Sequence, residues 1–397
     1  MQIKQRSFKV SVFAFIILLS LGVFIVRSTA FSCWDFRNNL WGPAYLLTHH
    51  QSPYRVDKLF DLGNAVWMPM AIGLFFPLGF LSLQQASNLW FVFNLIWFLL
   101  ILWISSGSRR PSTILFAIVV LLSFLFPPTV THLWSGQITI LTTLTLMIAA
   151  IWHDEMPVLW PALLIAISLV KPQLAILAVP GLLAYRIKEY GLQKAVELIF
   201  YLIGCLLIIT TPLFLGYPNW IPDFIWALQQ NPVWAQPSSL YSLRSLLPNV
   251  GTIVWLMLTV AIFATNIRLW TTLPARDAMY WSLALTLLVT PYVWTWDFVM
   301  ILPLFISHLF TAKTKISRGM LLGGYVVCWG LITSMKIRDE VNDSLFWWIP
   351  WLLLAVILAG RHLNIRLSHG LDPAQVPHIN EQNSKGLVRL DHVEKRR

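Results

Sequence analysis

Apolar runs follow one another with little interruption from residue 8 to residue 361, each about as long as the 17 to 25 residues a helix needs to cross a hydrocarbon core of about 30 Å. A chain built this way cannot bury all of its apolar surface inside itself. With 57% hydrophobic residues, 11% charged residues and 21 Trp, and a mean hydropathy of +0.68, it is excluded from the soluble globular class. The expectation is an all-α integral membrane protein.

Twelve candidate spans can be read: 8–29, 86–106, 112–127, 138–152, 157–171, 173–187, 194–216, 251–270, 277–290, 297–311, 317–335 and 345–361. Residues 64–81 are also apolar, but Pro69 and Pro77 and the short length suit a re-entrant or interfacial segment as well as a crossing. If that segment does not cross and the N-terminus is cytoplasmic, most of the 28 Lys and Arg fall in cytoplasmic loops and the C-terminal tail, as the positive-inside rule requires. The formal charge of +11 is then topological and no sign of nucleic-acid binding. Lys4, Arg6 and Lys9 before the first run resemble a signal peptide, but Arg27 interrupts the small neutral region a peptidase would read, which favours a retained anchor. The expected organisation is one integral membrane domain, 1–361, and a polar, poorly ordered cytoplasmic tail, 362–397.

This topology gives the outer face two long loops, 30–85 and 217–250. Both mix Trp, Pro and polar residues in the manner of short interfacial helices. Isolated polar residues gather at the same face: Asp35, Gln137, Lys171, Gln173 and Asp297. Lys171 ends a long apolar run, where an unpaired ammonium is costly; snorkelling to lipid headgroups is its bland explanation. The amides of Gln137 and Gln173 can donate and accept hydrogen bonds, either to a polar ligand or at the helix ends, and Trp134 and Tyr292 offer apolar ring faces. Asp297 has several possible uses: binding a polar ligand, orienting Lys171, acting as a base, or capping a helix.

The spacing of Cys33, Cys205 and Cys328 fits no metal or redox motif, and His49 and His50 point about 100° apart on a helix. No metal site and no cofactor is expected. There is no phosphate-binding loop and no dinucleotide fingerprint, so an ATP-driven role is not expected either.

The order of WDF after the first span, GPAYLLTHHQSPY, SGQ before an apolar helix, LVKPQ, and TPYVWTWDFVMILP resembles the polytopic glycosyltransferases of the GT-C class, and within it family 87, over roughly residues 30 to 310. The resemblance implies a GT-C-like bundle of about twelve transmembrane helices at the plasma (inner) membrane. It also implies transfer of a hexose, often mannose, from a polyprenyl-phosphate sugar to a lipid-linked or cell-envelope glycan acceptor on the extracytoplasmic face, with inversion. A carboxylate just after the first transmembrane helix is the catalytic base in that family, and Asp35 matches it. A carboxylate there can take the proton of an attacking hydroxyl. Arg37, Arg55, Lys171 and Arg244 would then stabilise the leaving lipid phosphate, and Gln137, Gln173 and Asp297 would contact sugars. Many members carry a histidine near Asp297, and this chain does not. The rival reading is a transporter or flippase for a lipid-linked saccharide. Such proteins place ionisable groups near the midplane and often show repeated halves, whereas the polar sites here lie at one end of the spans.

Overall fold

The computed structural model describes residues 33–60, 67–107, 113–230, 247–248, 250–337 and 343–369. The first candidate span, Arg244 and the tail beyond His369 lie outside these residues. Among the described residues every regular element is helical.

The chain enters through a helical stretch, α1 (34–48), made of Trp34–Phe36, a π-helical turn Arg37–Trp41 and Gly42–Thr48. Pro69–Phe75 (α2) then runs into a 3-10 turn, Phe76–Phe80. Together these rise about 20 Å, short of a full crossing. Leu83–Ser105 (α3) starts on a capping box between Ser82 and Gln85. Thr113–Leu125 (α4) and Pro127–Ser135 (α5) meet at a 60° bend. The bend falls where Pro127 and Pro128 restart the helix. Thr139–Ile151 (α6), Leu159–Ser168 (α7), Ala178–Tyr190 (α8), Leu192–Gly216 (α9) and Trp220–Gln230 (α10) follow. The last part comprises Gly251–Thr272 (α11), Ala275–Val289 (α12), a 3-10 turn Thr295–Ile301, Leu302–Thr311 (α13), Lys315–Ile337 (α14) and Ile349–His369 (α15).

Each candidate span within the described residues coincides with a helix, but helix length divides them. Four helices, α3, α9, α11 and α14, are long and apolar enough to cross a membrane, or five crossings if the bent pair α4–α5 is one. The remaining apolar helices have 10 to 17 residues. The short helices form the middle of the molecule. Ten of the thirteen residues of α6 and twelve of the fifteen of α12 are buried, as expected of helices apolar on every side. The long helices form a wall around them: on α11 Ile253, Met257 and Val260 are exposed, and on α9 Phe200, Ile203 and Ile208. An exposed apolar surface of this extent suits lipid and not water. The last helix, α15, continues to His369, past the end of the candidate span 345–361.

Three internal contacts hold the wall to the middle. The Asn266 amide on α11 donates to the Leu177 carbonyl at 2.8 Å. Ser282 on α12 bridges to the Asn266 side-chain oxygen at 2.6 Å. Trp270 donates its indole N–H to Ser282 at 2.7 Å. Asn266, Trp270 and Ser282 thus satisfy one another and the Leu177 carbonyl, as buried polar groups in an apolar interior tend to do.

Candidate active site

Four segments far apart in sequence meet around Asp35. The first is α1. Cys33 adopts a left-handed backbone conformation, φ 65°, and its N–H donates to the Trp134 carbonyl at 2.6 Å; this starts the helix directly before Asp35. The second is the turn after α5. Gly136 ends that helix at φ 73°, a conformation for which glycine is suited. A Cβ on Gly136 would stand 2.7 Å from the Phe36 Cβ and 3.3 Å from the Cys33 Cβ. Only a bare backbone lets the SGQ turn lie against α1. The Trp90 indole locks it by donating to the Gly136 carbonyl at 2.8 Å, with the Phe36 and Trp90 rings stacked at 5.7 Å.

The third segment is the turn between α7 and α8. Pro172 disfavours a helical residue before it, and Lys171 accordingly leaves the helix at φ −125°, ψ 73°. The fourth follows α12. Trp294 is extended and Asp297 lies in the first turn of the 3-10 helix. That turn is fixed from a second side by Asp343, which accepts from the Thr295 N–H at 2.9 Å and its hydroxyl at 2.8 Å.

These segments build two linked polar groups. Both oxygens of Asp35 are held by amides: Gln137 Nε2 donates to Oδ2 at 2.7 Å, and Asn39 Nδ2, one helical turn on, donates to Oδ1 at 2.9 Å. Lys171 Nζ donates to Asp297 Oδ1 at 2.6 Å and to the Thr139 hydroxyl at 3.4 Å. Thr139 itself donates to the same Asp297 oxygen, and the Trp294 N–H donates to the other at 3.0 Å. Asp35 is 7% exposed and Asp297 fully buried. The Lys171 and Asp297 charges both act on Asp35. Burial is the largest influence on the Asp35 carboxyl and pushes it up to about 6, against the lowering pull of Gln137, Lys171 and Asn39. Trp34, Trp134 and Tyr292 keep partly exposed rings, and the charges of both carboxylates reach Tyr292.

The structure thus brings Asp35, Gln137, Lys171 and Asp297 together. Gln173 is half-buried on the Pro172–Leu174 turn that follows Lys171. Arg37 and Arg55 are placed elsewhere. Arg37 is two residues past Asp35, hence on another side of the helix; its guanidinium bonds Asn38 at 2.9 Å and lies over the Phe60 ring at 4.5 Å. Arg55 forms a two-pronged pair with Asp57, both bonds at 3.0 Å, and stacks over Trp226 at 4.8 Å, linking the segment after α1 to α10. Asn39 and Thr139 join the site without having stood out in sequence. Their signals were an i, i+4 spacing from Asp35 and a position two residues past Gln137. Among the described residues no group of three or more His, Cys, Asp or Glu is arranged to hold a metal ion.

An all-helical bundle with a lipid-suited wall and a charged cluster built from helix-end turns defines a membrane protein with a candidate catalytic centre. The sequence model of glycosyltransferase family 87 matches residues 67–291, more than half of the chain, and the chain belongs to that family: it is a membrane glycosyltransferase. The matched stretch contains Gln137, Lys171 and Gln173; Asp35 and Asp297 flank it. No curated protein and no solved structure matches the chain.

Proposed function

We propose that the protein transfers a hexose, mannose or a close relative, from a polyprenyl-phosphate sugar to a hydroxyl of a lipid-linked or cell-envelope glycan, at the extracytoplasmic face of the plasma membrane, with Asp35 as general base. The observation that carries this reading is the double amide clamp on a carboxylate whose proton affinity is raised by burial. A base titrating near the working pH is present in its ionised form yet still takes a proton readily. The clamp fixes its orientation, and the exposed rings of Trp34, Trp134 and Tyr292 offer faces on which sugars stack.

In this mechanism the acceptor hydroxyl gives its proton to Asp35 as its oxygen attacks the anomeric carbon. The bond to the lipid phosphate breaks on the opposite side, and the configuration inverts. Lys171 has three N–H donors; Asp297 and Thr139 take two and orient the third. Directed at the phosphate, it stabilises the charge that develops on the leaving group. Asp297 is then an orienting group and not the base. An open apolar groove of about 480 Å³ lies between the end of α1, the Phe76–Phe80 turn and the end of α9, with walls from Leu47, Phe76, Phe80, Ile208 and Leu215. It is about 18 Å along α1 from Asp35 and borders the lipid-suited wall, which suits an isoprenoid chain. Because the sugar phosphate arrives on its own lipid, the donor needs no nucleotide site.

The test is transfer of labelled sugar by the purified protein from a panel of polyprenyl-phosphate and nucleotide sugars to membrane acceptors. Product from a polyprenyl-phosphate donor and none from the corresponding nucleotide sugar is expected. Transfer from the nucleotide sugar alone would reject the donor assignment.

A further inference from the structure

A second polar pocket, of about 410 Å³, lies at the far end of the helices that carry the Asp35 cluster, lined by His153, Asp154, Arg186, Tyr190, Lys194 and Glu197 among others. Thr139 opens α6 inside the Asp35 cluster, and His153 stands two residues past the end of that helix. Thirteen helical residues separate the two by about 20 Å. Arg186 and Tyr190 stand in the last turns of α8, whose first turn follows the Lys171 segment. The two sites therefore occupy opposite ends of the central helices.

Within this pocket the two carboxylates are engaged. Asp154 accepts from the Tyr190 hydroxyl and lies 3.1 Å from His153 Nε2. Glu197 pairs with Lys194 at 2.8 Å. His153 is held through Nδ1 by the Ala150 carbonyl at 2.7 Å. Arg186 stands apart. It is 7% exposed, its Nε is shielded from solvent without an acceptor, and its guanidinium rests over the Tyr190 ring at 5.6 Å. A guanidinium so far removed from water is costly without an acceptor for its N–H groups. Its planar fork matches a tetrahedral oxyanion, which can accept two of its N–H bonds at once.

We infer that this pocket binds a phosphate group through Arg186, either the headgroup phosphate of an anionic lipid or free phosphate. Asp154 is engaged by Tyr190 and His153 and Glu197 by Lys194, neither carboxylate bonds Arg186, and its guanidinium is open to an incoming anion. In the topology set by the positive charges this end faces the cytoplasm, and the ligand is drawn from the opposite side of the membrane to the proposed sugar-transfer chemistry. The site stands independently of the assignment of Asp35.

The experiment follows thermal unfolding of the purified full-length protein in neutral detergent. One arm adds inorganic phosphate against chloride at matched ionic strength; the other adds phosphatidylglycerol against phosphatidylcholine. A rise in melting temperature that saturates with phosphatidylglycerol assigns the lipid headgroup, and one that saturates with inorganic phosphate assigns the free anion. Arg186→Gln should weaken the binding by about tenfold or more, while Lys58→Gln, at an exposed position elsewhere in the fold, should leave it unchanged. Arg186→Lys keeps the charge and loses the fork, so it should also weaken binding, and it serves if the Gln variant does not fold. No shift of the wild type with either ligand overturns the inference. So does a shift that persists undiminished in both Arg186 variants.

Discussion

Burial and partner choice separate the charged residues that build the centre from those that decorate it. Lys171 and Asp297 are both removed from solvent and joined at 2.6 Å, whereas the Arg55–Asp57 pair is more than a third exposed on each side. Exposed pairs contribute little to stability, but a buried pair that loses one member leaves an uncompensated charge. Lys171→Met should therefore destabilise the protein by about 3–5 kcal/mol, read as a lower midpoint in chemical unfolding, and Arg55→Met should change the midpoint hardly at all. Lys171→Met combined with Asp297→Leu should recover much of the loss, because the orphaned carboxylate is then gone. Asp35, Gln137, Lys171 and Asp297 were legible in sequence because each stands alone in an apolar setting. Arg37 and Arg55 stand out in sequence by charge alone, and charge does not report what a side chain packs against. Asn39 and Thr139 do not stand out in sequence because neither carries a charge, and their role appears only when segments over a hundred residues apart close together.

The elements place the site by ending early. Pro172 turns Lys171 out of α7, the left-handed Gly136 stops α5, and the extended Trp294 precedes the turn that bears Asp297. Hydropathy marked where these helices lie but not where they stop: the apolar run 157–171 continues past Ser168, where the helix is already over. Apolar periodicity alone does not distinguish a short buried helix from a spanning one. Gly136→Ala puts a Cβ against Phe36 and strains the backbone by about 1–2 kcal/mol, pushing the SGQ turn and Gln137 away from Asp35. The expected result is a fall in turnover larger than any change in acceptor KM, measured by steady-state transfer kinetics. Serine at 136 should be as poor as alanine, since both carry the offending atom.

At the scale of the whole molecule, a wall of long apolar helices surrounds a middle of shorter ones. A reporter attached at Val260, exposed on α11, should be quenched by brominated lipid in a reconstituted bilayer. One at Lys58, exposed on the polar turn Val56–Lys58, should not. Within that scaffold the central claim is that Asp35 is the base, and its pH dependence is the most direct test. Asp35 must be ionised to accept a proton, so below its midpoint the transfer rate should climb about tenfold per pH unit and level off above about 6; loss of the Gln137 amide, in Gln137→Leu, should move that midpoint upward because a bond to the ionised form is removed. The measurement to make is the pH–rate profile of sugar transfer by wild type and Asp35→Asn. The account predicts a plateau above about pH 6 in the wild type, and in the variant a rate lower by about 10²–10⁴-fold with that limb absent. An Asp35→Asn variant that keeps the wild-type rate and the same limb would contradict it.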